Sequence, residues 1–346
     1  MPQGELDRQS WQRVRVSKRA ARTPWPTLLV LSFDALLLAV ALELDQHEGA
    51  FVHGCAVLLL LMVLLHAYLV LHECVHGVVF ADGRTNVALG HLLGFVILCP
   101  FLSRRRSHAL HHAWTGHIEL DPTNARAVRR LSTLSTRSLA LLDLWWRAYV
   151  PVLALNERVG LWRAPFGPHK SERSAATERR ATYVYLAGYA AVLGCLLWFG
   201  HLARAVSLYA PAFALLLMAE ELINLPHHAG APLTRSRLAL WEQGRVTHSC
   251  AEIPVWSRFV LLHFGLHTAH HLWPSYAWYE LPAAHRTLGQ MTGLATVNNE
   301  LRWSLRQRRR PFTTVMSQYL PTEILTMAAV PRPAHTADRN MAEDRR

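Results

Sequence analysis

Four long stretches of the chain are almost entirely apolar, and the residues between them are rich in arginine and other polar side chains. A helix needs roughly 20 apolar residues to cross about 30 Å of hydrocarbon, and each stretch is close to that length. The pattern therefore predicts four membrane-spanning helices and a large polar remainder. The predicted spans are residues 25–44, 50–71, 182–200 and 203–221.

Two further apolar stretches are too short or too polar to be predicted as spans. Residues 87–102 form an apolar run only about 16 residues long, which favours a re-entrant or interfacial helix over a full crossing. Residues 137–157 mix leucine and tryptophan with charged side chains. That mixture is typical of a helix in the membrane interface, with Trp145 and Trp146 at headgroup depth.

An ionisable residue lies inside each of the first two predicted spans, away from its ends. Asp34 lies in the first span and His66 lies in the second. A polar or charged side chain at membrane depth is costly, and it usually faces the inside of the helix bundle. We therefore expect both side chains to face the bundle rather than the lipid.

Positive charge is distributed unevenly along a chain whose net charge is +12. Lysine and arginine are concentrated before the first span and in the 101–181 segment, whereas the link at 44–50 carries acidic residues and neither Lys nor Arg. The positive-inside rule then places both termini and the 101–181 segment in the cytoplasm. No motif typical of nucleic-acid binding accompanies the basic residues, so nucleic acid is not an expected partner.

The polar regions outside the spans set the expected domain organisation. Residues 1–24 are expected to form a mobile, basic, cytoplasmic arm, and the apolar run that follows is too long for a cleavable signal. Residues 25–290 form the membrane domain, and 291–327 form a cytoplasmic helical segment. Residues 328–346 are rich in proline, alanine and charge, which predicts a disordered tail. The cysteines are scattered without CxxC spacing, which argues against disulfides and thiolate metal sites.

Three short histidine clusters carry the clearest chemistry in the sequence: HECVH at 72–76, HALHH at 108–112 and HTAHH at 267–271. Positions i, i+3 and i+4 share one face of a helix, so each cluster presents two or three imidazoles together. Imidazole is the commonest protein metal ligand, and without thiolates the set favours iron, or else copper or zinc. The eight histidines so placed exceed what one ion can hold, which predicts two metal ions. They are His72, His76, His108, His111, His112, His267, His270 and His271.

All three clusters fall on the cytoplasmic side by the charge argument, and helix ends can bring them together there. The expected fold is an all-α membrane protein with four transmembrane helices. A cytoplasmic helical cap would hold the two-metal site.

The sequence around the clusters resembles the histidine boxes of the integral-membrane fatty acid desaturase superfamily, which also includes membrane hydroxylases and ketolases. The resemblance covers roughly residues 25–290 and rests on HECVHG, on HALHHAWTG followed by Asp121-Pro122, and on HTAHHLWPSYAWYELP. It implies a cofactor of two iron ions, O2 as co-substrate, and one further histidine ligand. In this superfamily that histidine lies in an Asn-x-x-x-His segment after the fourth span.

Asn224 and His228 match that segment, and the resemblance implies that Asn224 reaches an iron through water. His227 is the alternative ligand, and the family spacing favours His228. The implied metal ligands are His72, His76, His108, His111, His112, Asn224, His228, His267, His270 and His271.

The resemblance implies an oxidoreductase that introduces a C=C bond into a fatty acyl chain. Three residues separate the histidines of the first box, as in acyl-lipid desaturases rather than acyl-CoA desaturases. A hydroxylase or ketolase acting on an alkyl, acyl or isoprenoid chain is the alternative, because NLPHHAG at 224–230 shares its Asn, second His and Gly with an alkane-hydroxylase motif but lacks its Tyr and Glu. A metal transporter or sensor is disfavoured, because transporter ligands are expected within the spans.

Electrons are expected from a separate protein of the ferredoxin, rubredoxin or cytochrome b5 type, because no haem-binding HPGG motif occurs. Such donors are often acidic, and a basic cytoplasmic face would attract them. The substrate is expected to enter from the bilayer. The chain is expected to be a multi-pass membrane protein, located in the inner or plasma membrane if it is bacterial.

Several other residues are candidates for supporting roles. A ligating imidazole usually donates its second N–H to an oxygen, for which the candidate carboxylates are Glu73, Asp121, Glu220 and Glu221. An ordinary surface or helix-cap role is the alternative for each of them. The aromatics beside the boxes, which we interpret as interfacial anchors in preference to channel walls, are Trp114, Trp273, Tyr276 and Trp278. His263, one turn before the third box, is a candidate support for a ligand. The histidines interpreted as surface or loop residues are His91, His117, His248 and His285.

Overall fold

The computed structural model describes residues 6, 8–16, 23–123, 131, 133–169, 171–228, 231–250, 257–292 and 300–317. These residues form helices, turns and short 3₁₀ segments, with no strand among them, which confirms the all-α class. The helices are α1 (Arg8–Val16), α2 (Trp25–Leu44), α3 (Ala50–His76), α4 (Gly83–Val96), α5 (Phe101–Ala113), α6 (Thr136–Arg147), α7 (Val152–Arg163), α8 (Glu172–Trp198), α9 (Leu202–Asn224), α10 (Ser257–Val260), α11 (His267–Leu272), α12 (Leu281–Thr292), α13 (Glu300–Gln307) and α14 (Phe312–Ser317).

Four of these helices are long and apolar enough to cross a membrane, as predicted: α2, α3, α8 and α9. Two of them extend beyond the apolar stretches. Helix α3 continues through the first histidine cluster and ends at Gly77, whose positive φ of 66° suits glycine. Helix α8 begins ten residues before its apolar stretch, because the Ser171 hydroxyl accepts the Ser174 N–H at its amino end.

The chain divides into two compact units that alternate along the sequence. The span unit comprises Ala21–Ser107 and Leu155–Ala219. The histidine unit comprises Met1–Ala20, His108–Ala154 and Glu220–Arg346. The first box therefore belongs to the span unit, and the second and third boxes belong to the histidine unit.

Buried polar pairs join the helices of the span unit. The Asp34 carboxylate on α2 lies 2.7 Å from His66 Nδ1 on α3, and both side chains are buried, which confirms that they face the bundle. At the turn after α2, the Asp45 carboxylate lies 2.9 Å from Arg204 Nε and 3.0 Å from His53 Nδ1. Arg204 therefore ties the α8–α9 turn to the α2–α3 turn.

The 87–102 stretch is shorter as a helix than predicted. Helix α4 ends at Val96, and the chain bends by 107° into α5. Pro100 lacks the N–H that a continuous helix needs, and Leu98 takes a positive φ of 52°. The Trp162 indole donates to the Leu98 carbonyl at 3.0 Å and so stabilises this bend.

The prediction of one interfacial helix over 137–157 is wrong. Helix α6 ends at Arg147 and α7 begins at Val152, because Tyr149 takes a positive φ of 61° and a proline precedes Val152. Trp146 is fully buried and donates to the Gln307 carbonyl at 3.1 Å, so it is not a headgroup anchor. Trp145 remains 45% exposed, as an interfacial residue should be.

The expectation of a mobile amino-terminal arm is wrong for residues 8–16, which form α1. Trp11 of this helix is buried in a core cluster that also contains Trp273 and Tyr276. The same packing corrects the interpretation of Trp273 and Tyr276 as interfacial anchors, because both are buried. Helices α13 and α14 lie within the 291–327 segment, and the tail at 328–346 lies outside the described residues.

The close approach of α4 to the bend predicts the effect of one glycine substitution. A Cβ at Gly94 would lie 2.4 Å from the Cys99 carbonyl oxygen and 2.9 Å from the Tyr185 hydroxyl, so backbone must shift. We expect Gly94→Ala to destabilise the protein by about 1–3 kcal/mol, measured as a lower melting temperature in detergent. Gly54→Ala is the matched control on α3, because nothing lies within 4 Å of its added methyl. Equal melting temperatures for the two variants would contradict the tight packing at Gly94.

Candidate metal centre

The three histidine boxes occupy the places in the helices that their spacing predicts. The first lies on the last turn of α3, the second on the last turn of α5, and the third forms α11. His72 and His76 share one face of α3, with ring centroids 4.9 Å apart.

Four histidines of the histidine unit form a compact group: His111, His228, His267 and His271. Each offers one ring nitrogen, and these nitrogens all lie within 4.8 Å of one another. Neighbouring Nε2 atoms are 3.2 Å apart for His111 and His271, 3.0 Å for His271 and His267, and 3.0 Å for His267 and His228.

Hydrogen bonds at Nδ1 determine which nitrogen carries the proton in three of these rings. The partners are Asp121 Oδ1 for His111 (3.0 Å), the Val246 carbonyl for His228 (3.0 Å) and Gln243 Oε1 for His271 (2.9 Å). Carboxylate and carbonyl oxygens only accept, so each Nδ1 must donate. A neutral imidazole protonated at Nδ1 has its lone pair on Nε2. In the neutral form of the three rings, the lone pairs therefore point toward the centre of the group.

Burial favours the neutral form of three of the four rings. It lowers the pKa of His228 to about 3, with a further contribution from the nearby His111 ring. Burial and neighbouring imidazoles also lower the pKa of His267 and of His271 well below the usual histidine value. Converging lone pairs on neutral rings repel one another unless a cation lies between them. The donor set therefore fits a metal ion, which binds neutral imidazole.

A second set of imidazoles meets beside this group within the same unit. His112 Nε2 lies 3.0 Å from His108 Nε2 and 3.0 Å from His270 Nε2. The His112 ring also stacks on His271, with centroids 4.3 Å apart. The histidine unit thus brings together seven of the nine predicted histidine ligands, and His72 and His76 belong to the span unit.

The end of α9 distinguishes the two adjacent histidines after the fourth span. The Asn224 side chain donates to the Glu220 carbonyl at 2.7 Å, and the chain continues as a 3₁₀ turn over Leu225–His227. His228 Nε2 then points toward the other three histidines of the group. The His227 ring instead stacks flat on His267, with ring centroids 4.0 Å apart. The geometry therefore agrees with the spacing that favours His228 over His227.

Asp121 supports His111 as one of the candidate carboxylates. It is buried and accepts hydrogen bonds from His111 Nδ1, the Gly116 N–H and the Thr123 hydroxyl. Burial raises the pKa of Asp121, but the His111 ring and the Thr123 hydroxyl outweigh that effect and lower it to about 2. Asp121 is therefore ionised at neutral pH and holds His111 by its Nδ1.

Of the two roles open to Glu221, the structure favours that of a helix cap. Its carboxylate pairs with the buried Arg308 and accepts the N–H groups of Leu153 and Ala154 at 2.6 Å and 3.0 Å. Glu221 therefore caps the amino end of α7. Glu73 lies 3.8 Å from His72 Nδ1, which is longer than a hydrogen bond.

Sequence reasoning missed Gln243. This residue lies in the 3₁₀ segment Leu240–Val246, and its amide nitrogen donates to the His112 carbonyl at 2.7 Å. Its oxygen must then point the other way, where it accepts from His271 Nδ1 and from the Thr115 hydroxyl, 3.0 Å away. A single glutamine far from the boxes carries no spacing signal, so only the fold shows this role.

The remaining polar candidates lie beside other partners. His117 is buried in a loop, where its Nδ1 accepts the N–H groups of Glu119 and Leu120. The His263 ring lies 6.0 Å from the Trp278 ring. Four further candidates are half-buried, and these are His91, His248, His285 and Trp114.

Comparison with known proteins agrees with this geometry. A family model described as fatty acid desaturase matches residues 50–297. An omega-3 fatty acid desaturase of Glycine max chloroplasts is 29% identical over 224 residues, which cover 62% of this chain and 49% of the relative. An acyl-lipid omega-3 desaturase (cytochrome b5) of the Arabidopsis thaliana endoplasmic reticulum is 27% identical over 235 residues, which cover 64% of this chain and 60% of the relative.

The chain thus spans between about half and three-fifths of the length of these curated relatives. The matched segment covers well over half of the chain and contains all three histidine boxes. The chain therefore belongs to the fatty acid desaturase family.

Proposed function

We propose that the protein is an O2-dependent membrane oxidoreductase that introduces a C=C bond into a fatty acyl chain, with an acyl-lipid as the substrate class. The observation that carries the proposal is the convergence of neutral imidazole lone pairs in the histidine unit of a desaturase-family chain. In the balanced reaction, two hydrogens leave neighbouring carbons. Together with two electrons and two protons from outside, they reduce O2 to two waters.

We assign two iron ions to the ligand set that the family resemblance implies. His111, His228, His267 and His271 would hold one ion, and Asn224 would contribute through water. The resemblance implies the remaining histidines as further iron ligands, and these are His72, His76, His108, His112 and His270. Imidazole ligands without thiolate suit iron. When bound, the iron pair would pass electrons from the external donor to O2 and so supply the oxidising power that removes hydrogen from an unactivated methylene.

The residues of the chain hold the ligands and exclude water. Asp121, Gln243 and the Val246 carbonyl each take an Nδ1 proton and so fix a ring orientation. Such partners also raise the basicity of the imidazole toward a metal. His111, His267 and His271 are buried, which would limit the access of bulk water to the proposed metal site.

The lipid substrate and electron donor are inferred from the spans, the charge and the relatives. Four candidate spans support entry of an acyl chain from the bilayer. Relatives are named for ferredoxin or for cytochrome b5, and we propose an acidic donor protein of this kind. Three exposed arginines lie on and just after α13, at Arg302, Arg306 and Arg309, where they would attract it from the cytoplasm.

Lipid mass spectrometry of an expression host tests the reaction. Cells with the wild-type chain should accumulate an acyl product that lacks two hydrogens. His270→Ala should abolish the product and lower the iron content of the purified protein, because His270 is an assigned ligand. His285→Ala is the matched control in the same unit and should retain both. An acyl product that gains one oxygen and no double bond would contradict a desaturase and indicate the hydroxylase alternative.

The Gln243 contacts predict a separate effect on metal affinity. Gln243→Leu keeps the approximate volume but removes the acceptor for His271 Nδ1, so we expect iron affinity to fall roughly 10- to 100-fold. A competition titration with a calibrated chelator measures it. Gln290→Leu is the control, because Gln290 is exposed on α12 in the same unit. Unchanged affinity in Gln243→Leu would show that this hydrogen bond does not support the site.

A further inference from the structure

Helix α1 contacts the helix that forms the third histidine box. Trp11 is buried, and its indole Nε1 donates to the Leu272 carbonyl at 2.8 Å. Leu272 is the residue after His271 and the last residue of α11. Carbonyl groups in the last turn of a helix have no partner within that helix, so the Trp11 indole satisfies one of them.

This outside contact matters because α11 is only six residues long. A helix of this length forms very few internal hydrogen bonds and is unstable in isolation. Three of its residues, His267, His270 and His271, are nonetheless assigned as metal ligands. Their ring positions therefore depend on groups outside α11.

The chain just after α11 also binds the backbone of α1. The Tyr276 hydroxyl donates to the Val14 carbonyl at 2.7 Å, and the Trp273 indole donates to the Trp11 carbonyl at 3.4 Å. Apolar packing accompanies these bonds, because Trp11, Leu272 and Trp273 belong to one buried cluster. Helix α1 thus donates a hydrogen bond to the last residue of α11, and the residues just after α11 donate hydrogen bonds to α1.

Helix α1 reaches a second support of the metal centre as well. The Trp11 ring lies 5.7 Å from the Trp241 ring, and the Arg8 guanidinium lies 5.4 Å over Trp241. Trp241 belongs to the 3₁₀ segment that carries Gln243 and Val246, the partners of His271 and His228.

We propose that α1 is a clasp that holds the third box and the Leu240–Val246 segment in their metal-binding arrangement, with Trp11 as its positioning residue. The inference rests on the proposed function, because the arrangement is that of the assigned ligands. Trp11 acts through the Leu272 carbonyl and Trp241.

The rate of iron release from the loaded, full-length protein to a chelator tests the clasp. Trp11→Phe keeps an apolar ring but removes the indole N–H, and Tyr276→Phe removes only the hydroxyl. We expect both variants to release iron roughly 10-fold faster than wild type. The melting temperature of the metal-free protein should stay within a few degrees, since most of the packing remains. Trp145→Phe on α6 is the matched control and should release iron at the wild-type rate, because Trp145 is 45% exposed.

Two results would overturn the clasp. One is iron release at the wild-type rate in both Trp11→Phe and Tyr276→Phe. The other is a lower melting temperature of the metal-free variants with an unchanged rate of iron release. That result would show that α1 contributes to packing and does not hold the metal ligands. Repeating the release experiment with Co²⁺, which imidazole also binds, distinguishes failure of the clasp proposal from failure of the proposed function. A wild-type protein that holds Co²⁺ but no iron would contradict the proposed function, while the Co²⁺ release rates would still decide the clasp.

Discussion

The candidate metal centre depends on hydrogen bonds that hold imidazole rings by their Nδ1 atoms. When Asp121, Gln243 and the Val246 carbonyl accept these protons, the lone pairs of His111, His271 and His228 must lie on Nε2. A hydrogen bond that fixes the proton on Nδ1 thereby leaves Nε2 able to bind a metal ion. Without these acceptors the rings could rotate or change tautomer, and the same histidines would not converge.

This requirement explains much of the polar structure around the boxes. Buried donors and acceptors are costly when unpaired, and low dielectric strengthens the bonds that are made. Asp121 accordingly accepts a backbone N–H and a hydroxyl as well as His111, and Gln243 uses both ends of its amide. These hydrogen bonds connect the histidines to the Leu240–Val246 segment, and the contact between Trp11 and Trp241 connects that segment to α1.

The sequence was sufficient to predict features that depend on local periodicity. The four spans follow from apolar length, and the shared face of His72 and His76 follows from helical spacing. The preference for His228 over His227 came from motif spacing, and the geometry agrees with it.

Features that depend on long-range contacts could not be predicted in this way. Trp11 lies 261 residues from its partner Leu272, and Gln243 has no motif that relates it to His271. The role of Glu221 could not be decided, because helical position alone does not distinguish a support for a metal ligand from a partner of Arg308. The breaks at Leu98 and Tyr149 depend on single residues with positive φ, which apolar patterning does not reveal.

The most direct test of the central claim is an X-ray absorption spectrum at the iron edge of the purified protein. The account predicts bound iron with a shell of nitrogen and oxygen atoms and the outer scattering of imidazole rings, without sulfur. Absence of iron, or a sulfur ligand such as the thiolate of Cys74, would contradict it.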